Sequence, residues 1–228
     1  MKFLNYDKVL CLSPHPDDVE YGMLGTMMKY KDTKFDIFVL SQGGDFDKST
    51  SKKRHSESEK ALEFIDNAKC YFSNVKHIKN KPEDEWVSII EKRFNINDYD
   101  CIIYPPHEDS HFEHRMINKL APALVRGSKC GRVTYKTASV LDSWLPNVFV
   151  DLNYIGHRNK EDGHSEETDL LFLACIWYSK LNRMKVFESQ VNKSYFEEDS
   201  IKSFHSNYNC SKRGMSHVES FRIETTYV

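Results

Sequence analysis

Two short segments of this 228-residue chain concentrate imidazoles and carboxylates at spacings that suit a metal ion. The first is Ser13-Pro14-His15-Pro16-Asp17-Asp18-Val19-Glu20, and the second is Pro105-Pro106-His107-Glu108-Asp109-Ser110-His111-Phe112-Glu113-His114. A divalent cation such as zinc takes imidazole nitrogen and carboxylate oxygen, and a catalytic site uses three protein ligands and keeps a position for water. A turn holding His15 and Asp18 three residues apart directs both side chains at one ion, and His114 supplies a third ligand. Asp17 then stays beside the ion without binding it, as a general base requires. His111, three residues before His114 and on the same face if a helix has begun, is left to address the substrate. Each segment alone has a plainer reading, because Pro and Asp favour turns and helix N-termini. Their joint occurrence is what points to chemistry.

The intervening pattern explains how the two segments meet. Apolar runs at 9–13, 35–41, 70–72 and 100–104 read as strands, and 19–30, 52–66, 86–93 and 112–125 read as helices. Gly43-Gly44 and Pro105-Pro106 stop the second and fourth strands. Strands separated by helices imply right-handed βαβ units, so the expected class is α/β, Rossmann-like, with a mostly parallel sheet flanked by helices. In such a sheet ligands bind beyond the carboxyl ends of the strands, and both segments directly follow strands. Farther on, 133–141, 148–152 and 217–223 read as strands, and 168–191 and 201–204 as helical. With no repeat and no linker, a single domain over 1–228 is expected, and the charged stretch at 156–168 reads as an exposed loop.

Composition narrows the function. With 32 Lys and Arg against 34 Asp and Glu, the net charge is -2 and the pI about 6.6, which gives no electrostatic footprint for nucleic acid. Residues 170–179, the longest uncharged apolar stretch toward the C-terminus, span about half of the roughly 20 residues a membrane helix needs. The N-terminal apolar residues are broken by Asp7 and Lys8, unlike the core of a signal peptide. Six cysteines lack any CxxC pair and several sit in apolar runs, so a reducing, cytoplasmic setting is expected. No GxGxxG follows the first strand, and two Asp repel a pyrophosphate, which disfavours nucleotide binding. A two-metal phosphoesterase needs more ligands than these loops plainly provide, and a silent binding module has no use for Asp17.

His15-Pro16-Asp17-Asp18 with Glu20, together with Asp109-x-His111-x-Glu113-His114, resembles the LmbE-like, or PIG-L-type, zinc-dependent N-deacetylases. Arg54-x-x-Glu57-x-x-x-Ala61, Ser41-Gln42-Gly43-Gly44, Pro146-Asn147-Val148-Phe149-Val150-Asp151, Phe187-Glu188-Ser189-Gln190 and Glu219-Ser220-Phe221-Arg222 fall in the family's order, so the similarity spans nearly the whole chain. The resemblance implies that His15, Asp18 and His114 bind Zn2+, with Fe2+ or Co2+ also suited to a His2Asp set. It implies Asp17 as general base and then acid, and His111 as the group that stabilises the oxyanion. Arg54 falls at the substrate end of the pocket or pairs with Glu57 on its own helix. Phe112 and Glu113 depart from the usual Pro and Asp; that carboxylate holds a neighbouring imidazole, which Glu can do with one more methylene. An apparent insertion of roughly 18 residues after Asp151, including His157 and His164, is either a solvated loop or a lid. The implied substrate is an N-acetylated amino sugar or N-acetylglucosaminyl conjugate, with a non-sugar amide or a phosphoester as the alternatives. Neither a nucleic-acid partner nor a membrane span is expected, and a homo-oligomer stays open.

Overall fold

A computed structural model of the chain describes residues 1–43, 48–153 and 176–227. The expected loop at 156–168, and the start of the helical stretch expected at 168–191, lie outside the described residues. Strand β1 (Lys8–Ser13) is buried along nearly its whole length because both faces of its pleat are covered. It pairs in parallel with β2 (Lys34–Val39), which carries β3 (Ala68–Phe72) on its outer side. On its other flank β1 pairs in parallel with β4 (Cys101–Tyr104), which carries β5 (Gly131–Tyr135). Beyond β5 the sheet turns antiparallel through β6 (Val148–Asp151) and β7 (Val218–Thr225), giving the order β3-β2-β1-β4-β5-β7-β6. This is a mixed α/β fold, and its parallel half is the half that carries both segments. From β1 the chain builds outward first through β2 and then, on the other side, through β4. The gap between β1 and β4 is therefore the switch point where such sheets bind ligands.

Alternation along the central strands splits the core in two. Val9 and Cys11 face a layer with Met23, Leu24 and Trp177; Leu10 and Leu12 face Trp86, Ile90, Ile117 and Leu120. The first layer is formed by α1 (Asp18–Lys29) and α2 (Lys48–Ala61), the second by α3 (Glu83–Arg93) and α4 (Phe112–Leu124). A further helix, α5 (Ile176–Met184), packs with α1 and α2. Helix α1 sits close to the sheet because Gly22 and Gly25 lack side chains. A Cβ at Gly22 would lie 2.6 Å from the Tyr135 ring, and one at Gly25 would lie 2.6 Å from Leu152. A buried ion pair locks this seat. Lys180 on α5 donates to Glu219 Oε1 (2.6 Å) and to the Tyr21 carbonyl (2.6 Å), while Glu219 accepts the Gly25 and Thr26 amides.

Three of the boundaries that differ from the sequence expectation do so for a local reason. Helix α2 ends at Ala61, and Leu62 and Ile65 are buried from the turn that follows, in which Phe64 takes a left-handed φ of 67°. Helix α3 begins at Glu83, where Glu83, Asp84 and Glu85 complement the positive end of the helix dipole. Strand β5 stops at Tyr135 instead of reaching 141, because Thr137 and Ser139 turn their hydroxyls to the Asp109 carboxylate. The five described cysteines are free thiols, and among the described residues no helix is long and apolar enough to cross a membrane.

Glu20, in the first turns of α1, is fully buried. Among the described residues neither carboxylate oxygen has a hydrogen-bond partner, and burial pushes its pKa up to about 7. An acid whose folded-state pKa exceeds its unfolded value destabilises the fold once ionised, so this contribution is lost as pH rises from about 4.5 through about 7. Glu20→Gln is therefore expected to gain about 3 kcal/mol on the wild type between pH 4.5 and pH 8. Urea unfolding at the two pH values measures this, and an equal difference at both would contradict it.

Candidate metal centre

Past the end of β1 the two prolines of Pro14-His15-Pro16 stiffen the turn, and Ser13 Oγ donates to the His15 carbonyl (2.7 Å). The His15 amide donates to Asp18 Oδ2 (2.9 Å), which folds the Asp18 side chain back toward the imidazole. Between them Asp17 takes φ 120° and ψ -32°, a conformation costing on the order of 1–3 kcal/mol for a residue with a side chain. Its carboxylate makes no capping bond to α1 and instead lines the pocket. Arg54, buried on α2, fastens this turn to the loop after β2. One nitrogen, Nη2, donates to the Pro16 carbonyl (2.9 Å) and reaches Asp17 Oδ2 (3.5 Å). The other, Nη1, donates to the carbonyls of Gln42 and Gly43 (3.2 Å each). Position 43 must be glycine on two counts, a φ of 80° and a guanidinium 1.7 Å from where a Cβ would stand.

Past β4, Asp109 organises the second segment. It accepts the His111 amide (2.7 Å), the Ser139 hydroxyl (2.6 Å) and the Thr137 hydroxyl, and it holds His114 Nδ1 at 2.9 Å. Glu113 reaches across from α4 to His15 Nε2 at 2.8 Å. Each imidazole thus has a carboxylate behind one nitrogen, and the other nitrogen faces Asp18. His15 Nδ1 lies 3.0 Å and His114 Nε2 3.3 Å from Asp18 Oδ2. The edge of a tetrahedron with 2.0–2.1 Å metal–ligand bonds is about 3.3 Å, so each imidazole nitrogen stands close to coordination spacing from the Asp18 oxygen, and the donor types fit a divalent cation. His111 sits at the exposed side, with ring centres 4.9 Å from His15 and 4.5 Å from His114. One of its ring nitrogens falls within 4.8 Å of a ring nitrogen of each.

The electrostatics separate the neighbouring aspartates. Burial pushes the Asp17 carboxyl up to about 6, with Asp18 adding to the rise and Arg54 opposing it. Asp18 moves the other way: burial works against its charge, but His114 and His15 outweigh burial and hold it well below the usual carboxylate range. Burial likewise lowers the His114 pKa, yet Asp18 and Asp109 outweigh it and push the value up to about 10. The two neighbouring carboxyls are thus set apart, Asp18 held ionised by the imidazoles and Asp17 close to the pH at which it exchanges a proton.

All seven residues expected from the sequence lie together here, six of them around the pocket and Glu113 behind His15. The alternative pairing of Arg54 with Glu57 does not form, since Glu57 accepts the backbone amide (2.9 Å) and hydroxyl of Ser189. Asp109 was legible as part of the second motif, but its grip on His114 was not. Ser139, Lys193 and Tyr195 also line this cavity of about 240 Å³, and no motif marks them in the sequence.

Residues 10–125, which include both loops, match the family described as PIG-L: GlcNAc-PI de-N-acetylase. The chain belongs to the PIG-L family. No curated protein matches this PIG-L chain significantly, but solved structures do. The N,N'-diacetylchitobiose deacetylase from Pyrococcus horikoshii is 21% identical with a TM-score of 0.62, over 97% of this chain and 85% of that one. GalB, the 4-carboxy-2-hydroxymuconate hydratase from Pseudomonas putida KT2440, is 12% identical with a TM-score of 0.70, over 100% and 98%. A zinc-inhibited form of the teicoplanin deacetylase Orf2 is 11% identical with a TM-score of 0.61, over 95% and 97%. At such identities the likeness shows the fold, and this fold hosts more than one reaction.

If Asp109 orients His114, Asp109→Asn is expected to weaken zinc binding by about 10- to 100-fold. Calorimetric titration of zinc into the metal-free protein reads this directly, and an unchanged affinity would remove Asp109 from the centre.

Proposed function

We propose that this PIG-L family protein is a metal-dependent N-deacetylase of an N-acetylated amino sugar or its conjugate. The observation that supports it most is a carboxylate beside the cation site that is not part of it: Asp17, next to the converging His15, Asp18 and His114. Zinc suits this donor set best, and Fe2+ or Co2+ is also compatible. When bound, the cation would polarise the amide carbonyl and lower the pKa of water to roughly 7.

The chain's own residues supply the rest. Asp17 accepts the proton of the water that attacks the carbonyl carbon. The same carboxyl then gives its proton to the leaving nitrogen as the C–N bond breaks, yielding acetate and a free amine. A carboxyl near pKa 6 serves both directions, because neither protonation state is far from neutral pH. The strained backbone at Asp17 and the Arg54 contacts keep it aimed into the pocket. His111 donates from the exposed side toward the developing oxyanion. Burial and the two neighbouring imidazoles lower its pKa, so at neutral pH it donates as an uncharged imidazole. The free thiols of the described cysteines support action in a reducing, cytoplasmic compartment.

The test is acetate release from N-acetylglucosaminyl compounds by the zinc- or iron-loaded protein. Asp17→Asn is expected to lower turnover by about 10²- to 10⁴-fold with metal content unchanged, whereas His114→Ala is expected to lose metal. Near-normal turnover in Asp17→Asn, or full metal content in His114→Ala, would contradict these assignments.

A further inference from the structure

Helix α1 is not continuous. Met23 has φ -148° and ψ 17°, outside the helical region, so α1 consists of two helical pieces that meet at a kink. The first piece carries Asp18 and follows directly on Asp17, and the second carries Gly25 and Thr26. Kinks form where a side chain enters the hydrogen-bond ladder of a helix, and the groups uncovered there are carbonyls before the break and amides after it. The buried ion pair meets both. Lys180 Nζ donates to the Tyr21 carbonyl (2.6 Å) on the near side. On the far side Glu219 accepts the Gly25 amide (2.8 Å), the Thr26 amide (2.6 Å) and the Thr26 hydroxyl (2.5 Å). The ammonium therefore ends one piece and the carboxylate begins the other, as the helix dipole favours. Their mutual bond (2.6 Å) ties the two pieces across the kink.

The pair is also saturated. The third Lys180 proton goes to His205 Nε2 (2.7 Å), while His205 Nδ1 donates to the Ile201 carbonyl (2.8 Å). His205 closes a short helix, α6 (Glu198–Phe204). Burial and the Lys180 charge hold its pKa well below the usual range, so the ring stays neutral and Nε2 keeps its lone pair. All three side chains are buried, and a buried network with every member satisfied specifies one geometry. Desolvation offsets much of the attraction within such a pair, so what it fixes is direction more than stability. A helical piece as short as the first part of α1 has no stability alone, and its orientation comes from what holds it. Tyr21 is the handle. Its amide donates to the Asp17 carbonyl (2.7 Å), its carbonyl accepts from Lys180, and its hydroxyl donates to the Tyr195 carbonyl (2.8 Å). A shift of Tyr21 carries Asp17 and Asp18 with it.

We propose that Lys180, Glu219 and His205 are positioning residues for the metal centre: by capping both sides of the α1 kink they aim the Asp17–Asp18 turn at His15 and His114. This inference rests on the metal centre of the deacetylase reading. The test combines Lys180→Met with Glu219→Gln in the full chain, which removes both charges and keeps the volumes close. Three properties are read: urea unfolding, zinc affinity of the metal-free protein by calorimetry, and kcat and KM for acetate release from N-acetylglucosaminyl compounds. Zinc affinity is expected to fall by about 10- to 100-fold, as when the outer partners of metal ligands are lost. Turnover is expected to fall by about 100-fold, with KM near the wild-type value. Ile90→Ala, in the other core layer, controls for lost packing; it is expected to unfold at lower urea but to keep wild-type zinc affinity and kcat. Thr26→Val removes only the hydroxyl bond to Glu219, is expected to weaken zinc binding by about twofold or more, and decides the matter if the double variant does not fold. Wild-type zinc affinity in the folded double variant, or in Thr26→Val if the double variant is unfolded, overturns the positioning role and leaves the deacetylase reading standing. An equal loss of affinity in Ile90→Ala does the same. Zinc bound by the wild type without acetate release overturns the deacetylase reading, while the affinity ratio still decides the positioning role. No zinc binding by the wild type overturns both.

Discussion

Two adjacent carboxylates, Asp17 and Asp18, are held out of bulk water at the end of the central strand, and the rest of the site is arranged around their repulsion. Charges in such a place are tolerated only with partners. Asp18 receives two imidazoles, at 3.0 and 3.3 Å, and stays ionised. Asp17 receives a single, longer contact from Arg54 and keeps a raised pKa. One sequence dipeptide thus holds two carboxyls of opposite character, as the proposed cation-binding role of Asp18 and proton-exchanging role of Asp17 require. The division depends on direction: Asp18 folds back onto the His15 amide, while the positive φ of Asp17 turns it the other way.

That division is only useful if a second chain segment arrives at the right place, and the sheet ensures it. Strands β1 and β4 are neighbours although about ninety residues separate them, so the loops that follow them share one edge of the sheet. Helix α1 carries Asp18 and must lie close to β5 and β7, which its glycines permit and the buried Lys180–Glu219 pair secures. Behind each inward-facing imidazole stands a carboxylate, Glu113 for His15 and Asp109 for His114, so ring orientation is set before any ligand arrives. The Phe112 and Glu113 departures from the usual family pattern leave this arrangement intact. Glu113 spans the distance to His15, and Phe112 is exposed on the outer side of α4.

Much of this was legible from residue types and spacing. The parallel half of the sheet follows from local alternation of apolar runs and amphipathic helices, and the two metal-site loops follow from their positions after strands. The antiparallel half was less visible, because β7 joins partners about 70 to 90 residues away in β6 and β5, a pairing with no local signature. The same limit explains Asp109, whose hydroxyl partners Thr137 and Ser139 lie on a turn that alternation reads as a continuing strand. It also explains Arg54. Helical spacing suggests Glu57 as a partner, whereas tertiary structure gives Glu57 to Ser189 and turns the guanidinium to Asp17. Lys193 and Tyr195 reach the pocket through short turns without periodicity, so nothing in their spacing announces them.

The most direct test of the central claim is anomalous diffraction at the zinc edge from crystals of the zinc-loaded protein. The account predicts one zinc bound by His15 Nδ1, His114 Nε2 and an Asp18 oxygen, with the Asp17 carboxylate nearby and uncoordinated. A zinc held by the three imidazoles of residues 15, 111 and 114 without Asp18, or one coordinated by Asp17, would contradict it.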